Sequence, residues 1–314
     1  MTDPRLAELS GMTVVDGRIW AMPDGGRRVQ LYEVDPDGCA ITATRTADVD
    51  PEDPEDLAAG PDGSLWVSDT GDNDRRRGTV AVIVLPARGD PRLHRLTYPD
   101  GPHDAEALLV DGAGRPVVVT KEVGRPTGVY RTEFALDGTA PEGPGPMQLR
   151  RIGDLPLPAS DTPGGPIGQL GPGVVTGAGA TVDGGVVALR TYTDAWLYRV
   201  RDGDVAAALV AGPALRIPLP DEPQGEAIAF AADGSLLSGS EARGGVRGEI
   251  RSVPGAVGLL DAARDGRASP AEPAAPADPP SAPEWGPAAA GAGALAALLL
   301  LLAGAVTLRN RNRH

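Results

Sequence analysis

The stretch Glu55-Asp-Leu-Ala-Ala-Gly-Pro-Asp62-Gly63-Ser-Leu-Trp-Val-Ser-Asp69 reads as two short apolar runs joined by an Asp-Gly turn and closed by a polar residue. Asp-Gly between apolar runs is the signal of a tight β-hairpin. The phrase recurs as Glu106-Ala-Leu-Leu-Val-Asp111-Gly-Ala-Gly-Arg-Pro-Val-Val-Val-Thr120-Lys121-Glu122 and as Glu226-Ala-Ile-Ala-Phe-Ala-Ala-Asp233-Gly234-Ser-Leu-Leu-Ser-Gly-Ser240-Glu241. A weaker copy runs from Thr176 through Asp183-Gly184 to Arg190-Thr-Tyr192, and the first copy runs from Glu8 through Asp16-Gly17 to Asp24. Strand-like stretches follow the hairpins, such as Val29 to Val34, Thr79 to Leu85, Gly128 to Phe134 and Ala195 to Val200. Three or four strands per unit, repeating every roughly 45–70 residues, predict an all-β fold of the β-propeller type. Five units predict five blades, with six as the alternative if Leu149 to Val175 holds further strands. The last unit lacks an outer strand after Pro254, and the segment Pro4 to Leu9 is expected to supply one and close the ring.

Composition agrees. Gly 43 and Pro 32 make up about a quarter of the 314 residues and fall mostly between the apolar runs, which excludes a helical bundle. Lys+Arg 29 against Asp+Glu 43 gives a net charge of -14, so nucleic acid is excluded as a partner. A single cysteine, Cys39, excludes an intrachain disulfide framework and a cysteine-based zinc site. Lys121 is the only lysine in the chain.

The phrases at 55–73, 104–111, 189–195 and 224–229, among them Asp69-Thr-Gly-Asp72-Asn73 and Gln224-Gly-Glu226-Ala, resemble a group of actinobacterial secreted or membrane-anchored β-propeller proteins. More distantly the chain is similar to the regucalcin/gluconolactonase, NHL-repeat and propeller-phytase groups. The resemblance covers about residues 4 to 255. It implies the fold, an exported location and calcium, and it implies no activity, because propellers host enzymes and passive binders alike.

The expected domain order is a propeller over 4–256, a Pro/Ala-rich linker or stalk over 257–287, a transmembrane helix over 288–308 and a basic cytoplasmic tail over 309–314. Residues 288–308 carry no charge, and a helix of that length spans about 30 Å, the thickness of a bilayer's hydrocarbon. Arg309, Arg311 and Arg313 follow the run while Glu272, Asp278 and Glu284 precede it. Positive-inside then predicts a single-pass protein of the cell membrane with the propeller outside and the C-terminus in the cytoplasm. Met1-Thr-Asp-Pro-Arg-Leu has neither the basic start nor the apolar core of an export signal, so the true start is expected upstream.

In a propeller the residue opening each hairpin and those closing it share one face. Aligning the copies on their Asp-Gly turns gives an opening column of Glu8, Glu55, Glu106, Thr176 and Glu226, and a closing column of Asp24, Asp69 with Asp72 and Asn73, Lys121 with Glu122, Arg190 with Tyr192, and Glu241. Four glutamates converging on one channel mouth repel unless something offsets them. Ca2+ takes about six to eight oxygen ligands and suits carboxylates and Asn carbonyls, so Glu8, Glu55, Glu106, Glu226, Asp69, Asp72 and Asn73 are the candidate metal ligands. The structural alternative has each Glu accepting backbone N–H bonds at a strand start, or pairing an Arg such as Arg75 or Arg190. The expected function is a ligand- or protein-binding module displayed at the cell surface, its partner a protein or small molecule, with a divalent cation at the acidic mouth. The alternative is a metal-dependent hydrolase of the lactonase or esterase type, with His103 and Glu106 as its candidate catalytic residues.

Overall fold

The computed structural model describes residues 1–136 and 145–264. Five antiparallel meanders follow one another along the chain. The first contains β1 (Leu9–Val15), β2 (Arg18–Pro23), β3 (Val29–Val34) and β4 (Ile41–Ala47); the second contains β5 (Pro54–Ala59), β6 (Leu65–Asp69), β7 (Val80–Leu85) and β8 (Arg92–Thr97). The third contains β9 (Ala105–Val110), β10 (Pro116–Thr120), β11 (Gly128–Thr132) and β12 (Met147–Asp154). β13 (Val175–Ala180), β14 (Val186–Thr191), β15 (Asp194–Arg199), a short helix α1 (Val205–Ala211) and β16 (Leu215–Pro218) make the fourth. The fifth has three strands, β17 (Gly225–Phe230), β18 (Leu236–Ser240) and β19 (Glu249–Val253), followed by α2 (Ala256–Arg264).

The first strand of each meander packs against the first strand of the next, and β17 packs back against β1. This closed ring of five blades is the architecture of a β-propeller. Five apolar cores fill the five gaps between neighbouring blades, for example Val82, Leu96, Leu108 and Val118 between the second and third and Met12, Tyr32, Ala227 and Leu237 between the fifth and first. A blade strand with such a core on each side must be apolar on both faces, and Val80-Ala-Val-Ile-Val-Leu85 is buried throughout.

Ring closure differs from the expectation. Pro4 lacks the N–H that a ladder needs, and Pro4–Leu6 forms a 3-10 turn capped by Asp3 instead of an outer strand. The N-terminus still reaches blade five: the Met1 ammonium donates to the Gly248 carbonyl at 2.5 Å, and Ala242 N donates to Ala7 O at 2.8 Å. Residues 256–264, of which 257–264 were expected in the linker, form α2, whose Ala256 and Leu260 pack on Phe230 and Leu236. The stretch between β12 and β13 holds five prolines and, among the described residues, only a 3-10 turn at Gly168–Gly173, so it supplies no sixth blade.

No helix among the described residues is long and apolar enough to cross a membrane. The expected span at 288–308, the tail at 309–314 and the remainder of the linker lie outside the described residues.

The innermost strands are crowded. A Cβ on Gly179 would lie 2.7 Å from the Ile228 carbonyl oxygen of the neighbouring blade. Asp56, fully buried on β5, accepts N–H bonds from Leu57 at 2.8 Å, from Leu108 of β9 at 2.8 Å and from Ala178 of β13 at 3.1 Å. A second buried tie joins blades four and five: Arg190 of β14 pairs with Glu222 and bonds the Ser238 hydroxyl, and both charged side chains are sealed from solvent. Gly225 must lack a side chain, because a Cβ there would overlap the Arg190 guanidinium. Removing one partner of such a pair leaves a buried charge uncompensated, so Glu222→Gln should lower unfolding free energy in urea by about 3 kcal/mol or more. Glu249→Gln, at the half-exposed pair with Arg251, should cost under about 1 kcal/mol.

Candidate functional site: a carboxylate bowl at the channel mouth

Each innermost strand carries a bulge at its first turn of pairing. The register skips Ser10 in β1, Glu55 in β5, Glu106 in β9, Thr176 in β13 and Glu226 in β17. A bulged residue leaves the pleat and is re-aimed, so these five side chains form the inner ring of the mouth. Two residues earlier stand Glu8, Asp53, Asp104, Val174 and Gln224, a second ring. A third follows the second strand of each hairpin: Asp24, Gly71, Lys121 and Glu241 donate their backbone N–H to the carbonyls of Glu8, Asp53, Asp104 and Gln224 at 2.7, 3.0, 2.9 and 2.8 Å, and Tyr192 succeeds β14 in the same way.

Glu8 therefore does not share a column with Glu55, Glu106 and Glu226; Ser10 does. Asp16-Gly17 is a two-residue turn with both φ angles positive, at 52° and 73°, closed by the Val15–Arg18 pair. The other blades use longer turns, as between the paired Ala59 and Leu65, so alignment on Asp-Gly displaces the first copy. Glu8 is exposed and lies in the second ring.

Three other candidate ligands have different work. Asp69 accepts Glu52 N at 3.1 Å, Asp53 N at 2.9 Å and the Arg77 guanidinium at 3.1 Å. Asp72 accepts Arg76 N and Arg77 N, both at 2.8 Å, and so folds its own loop. Asn73 is exposed. His103 bonds Asp100 and the Tyr130 hydroxyl, both at 3.1 Å, and is edge-on to Tyr98. None of its hydrogen bonds or ion pairs reaches Glu106.

Glu55 and Glu106 remain, and Asp104 joins them. One oxygen from each of these three buried carboxylates lies within 4.8 Å of the others. Asp104 gives one oxygen to Asp72 N at 2.9 Å. Glu106 Oε1 accepts from Lys121 Nζ, while its Oε2 is buried with no partner. No backbone N–H bonds Glu55, Glu106 or Glu226 among the described residues; Glu226 accepts only from the Gln224 amide at 2.8 Å. The expected arginine partners are elsewhere, Arg75 on Glu122 at 2.5 Å and Arg190 on Glu222. The inner-ring glutamates thus make neither the backbone N–H bonds nor the arginine pairs expected of a scaffold role; Glu106 has Lys121 and Glu226 has Gln224 instead.

Their protonation shows the strain of this crowding. Burial, then the charges of Glu106, Asp53 and Asp24, push Glu55 well above the usual carboxyl range. Burial and then Glu226 do the same to Glu106 against the pull of Lys121. Burial raises Glu226 to about 7 and, with Glu226, Asp24 and Glu8 adding to it, raises Glu241 to about 8. Asp53 rises to about 6 through burial and then Asp24 and Asp104. Asp104 was missed in sequence, although Asp53-x-Glu55 and Asp104-x-Glu106 share an acid-x-Glu spacing that would have found it.

No protein-family model matches the chain and no curated protein matches its sequence. Solved structures do match over most of the chain at low identity. A gluconolactonase from Xanthomonas campestris is 16% identical, with 79% of this chain and 77% of that one covered and a TM-score of 0.43. A luciferin-regenerating enzyme is 15% identical over 79% and 78%, with a TM-score of 0.44. A structure of a nidogen/laminin complex is 13% identical over 80% and 78%, with a TM-score of 0.43. Likeness of this degree transfers no functional residue.

A carboxyl whose folded pKa is raised binds its proton more tightly in the folded state. Between about pH 4, where unfolded carboxyls titrate, and the folded values of about 6 to 8 at Asp53, Glu226 and Glu241, the folded protein holds extra protons. Stability therefore falls as pH rises through that window. In chelator the melting temperature should drop by several degrees from about pH 5 to about pH 8; a flat or rising profile in calorimetry would contradict these assignments.

Proposed function

We propose that the protein is a divalent-cation-binding β-propeller that recognises its ligand at the carboxylate bowl. The observation that carries this reading is the group Glu55, Asp104 and Glu106, with ligand atoms mutually within 4.8 Å and Glu106 Oε2 buried without a partner. Two ligands on one Ca2+ sit at most about 5 Å apart, twice the Ca–O distance. Hard carboxylate oxygens select Ca2+, Mg2+ or Mn2+ over softer ions. A bound cation would remove the mutual repulsion that raises these carboxyls, and would present its remaining coordination positions to an anionic or carbonyl oxygen of a ligand.

Melting the chain in chelator and again with millimolar Ca2+ tests this. A cation bound only by the native state at 100 times its Kd adds ~2.7 kcal/mol, a rise of several degrees. Glu55→Gln, which leaves the Glu106–Lys121 pair intact, should abolish that rise and, by removing repulsion, should stabilise the protein in chelator at neutral pH. No rise in the wild type with any of the three ions would contradict the reading.

A hydrolytic role is the second reading, favoured by Glu226 and Glu241, whose carboxyls near 7 and 8 suit a general acid or base at neutral pH beside such a cation. Under it, Glu241→Gln should abolish turnover of a lactone or ester found by screening while leaving Ca2+ stabilisation in place. Placement at the cell surface rests on the uncharged run at 288–308 and the arginines after it; membrane fractionation with protease protection tests it.

A further inference from the structure

Four arginines near the mouth have other partners: Arg75 has Glu122, Arg77 has Asp69 and Glu52, Arg190 has Glu222, and Arg243 has Gln224. The cation that bonds an inner-ring glutamate among the described residues is Lys121, the only lysine among 314 residues. It occupies the third ring in the third blade, where Asp24 and Glu241 stand in the first and fifth. Its ammonium bonds Glu106 Oε1 and lies 5.7 Å from the centre of the Tyr192 ring.

The residue type matters here. A guanidinium is a rigid fork that fixes its partners, whereas an ammonium is a compact point charge on a flexible four-carbon stem. The Lys121 side chain retains 18% exposure, which leaves the stem a path to solvent. Its site is also shared with the proposed ion: Glu106 Oε1 is on Lys121 while Oε2 has no partner, and the same carboxylate has an oxygen within 4.8 Å of oxygens of Glu55 and Asp104. A divalent cation placed among those three carboxylates would stand next to a like charge, and the two would repel.

We propose that Lys121 is a tethered counter-cation, which neutralises part of the bowl in the cation-free protein and swings toward solvent when a divalent cation takes Glu55, Asp104 and Glu106. This rests on the cation reading above. The tether then sets the affinity of the site, since each binding event must displace the ammonium. It also guards against weakly held monovalent ions, which cannot repay that displacement with a double charge.

A single lysine makes the test direct. The full chain is pulse-labelled with an acylating reagent in chelator and in millimolar Ca2+, and acylation of Lys121 is read by mass spectrometry with the Met1 amine as internal control. Ca2+ should raise Lys121 labelling by about tenfold or more at constant Met1 labelling, and Lys121→Met should tighten Ca2+ binding in calorimetric titration by about tenfold or more. If Ca2+ stabilises the wild type while Lys121 stays protected, the tether is overturned and the cation site stands. Weaker Ca2+ binding by Lys121→Met would likewise overturn the tether. If only Lys121→Met binds Ca2+, the tether is supported and the wild-type cation reading fails. Binding by neither protein overturns both. The labelling arm uses the wild type, so it holds even if the variant folds poorly.

Discussion

The carboxylate of Asp56 sits where three blades meet, accepting one N–H from each of β5, β9 and β13. Such a contact needs innermost strands close enough for one side chain to span them, which is the geometry of a ring of only five blades. The neighbouring blades carry Gly11, Ala107, Gly177 and Ala227 at the matching position. A Cβ on Gly177 would overlap the Glu226 carbonyl, and one on Gly11 would meet the β5 backbone. At this level the centre of the ring has no room for larger side chains. The polar residues that do point inward are those of the bulges one position earlier, and they are lifted to the mouth.

What distinguishes the mouth is the way its carboxylates are partnered. Elsewhere in the molecule acids are saturated: Asp111 accepts from Ala113 N, Arg115 N and the Arg115 side chain, and Glu222 holds Arg190 and Ser238. Buried carboxylates without such donors are costly. At Glu55 and Glu106 the cost is met only in part, by one lysine among eight acids that include Glu8, Asp24, Asp53, Asp104, Glu226 and Glu241. Protons at neutral pH supply part of the rest, and on the proposed reading a bound cation would take their place.

Much of this was legible in the sequence. The hairpin phrase marked five units because Asp-Gly between apolar runs forces a turn, and in the longer turns Asp62, Asp183 and Asp233 each accept the N–H two residues on. Three features escaped. The short Asp16-Gly17 turn broke the alignment of the first copy and put Glu8 where Ser10 belongs, since turn length cannot be read from the dipeptide alone. The loop Asp69-Thr-Gly-Asp72-Asn73 looked like a ligand set by composition; Asp72 is used by the backbone of its own loop, and Asp69 by the backbone of the loop before β5 and by Arg77, which only coordinates reveal. His103 likewise looked catalytic by its nearness in sequence to Glu106, yet it faces Asp100 and Tyr130.

The claim that the bowl holds a cation is tested most directly by diffraction from crystals soaked in Tb3+, a calcium stand-in with strong anomalous scattering. The account predicts an anomalous peak within coordinating distance of Glu55, Asp104 and Glu106. Peaks confined to exposed acids such as Asp74, with none among those three carboxylates, would contradict it.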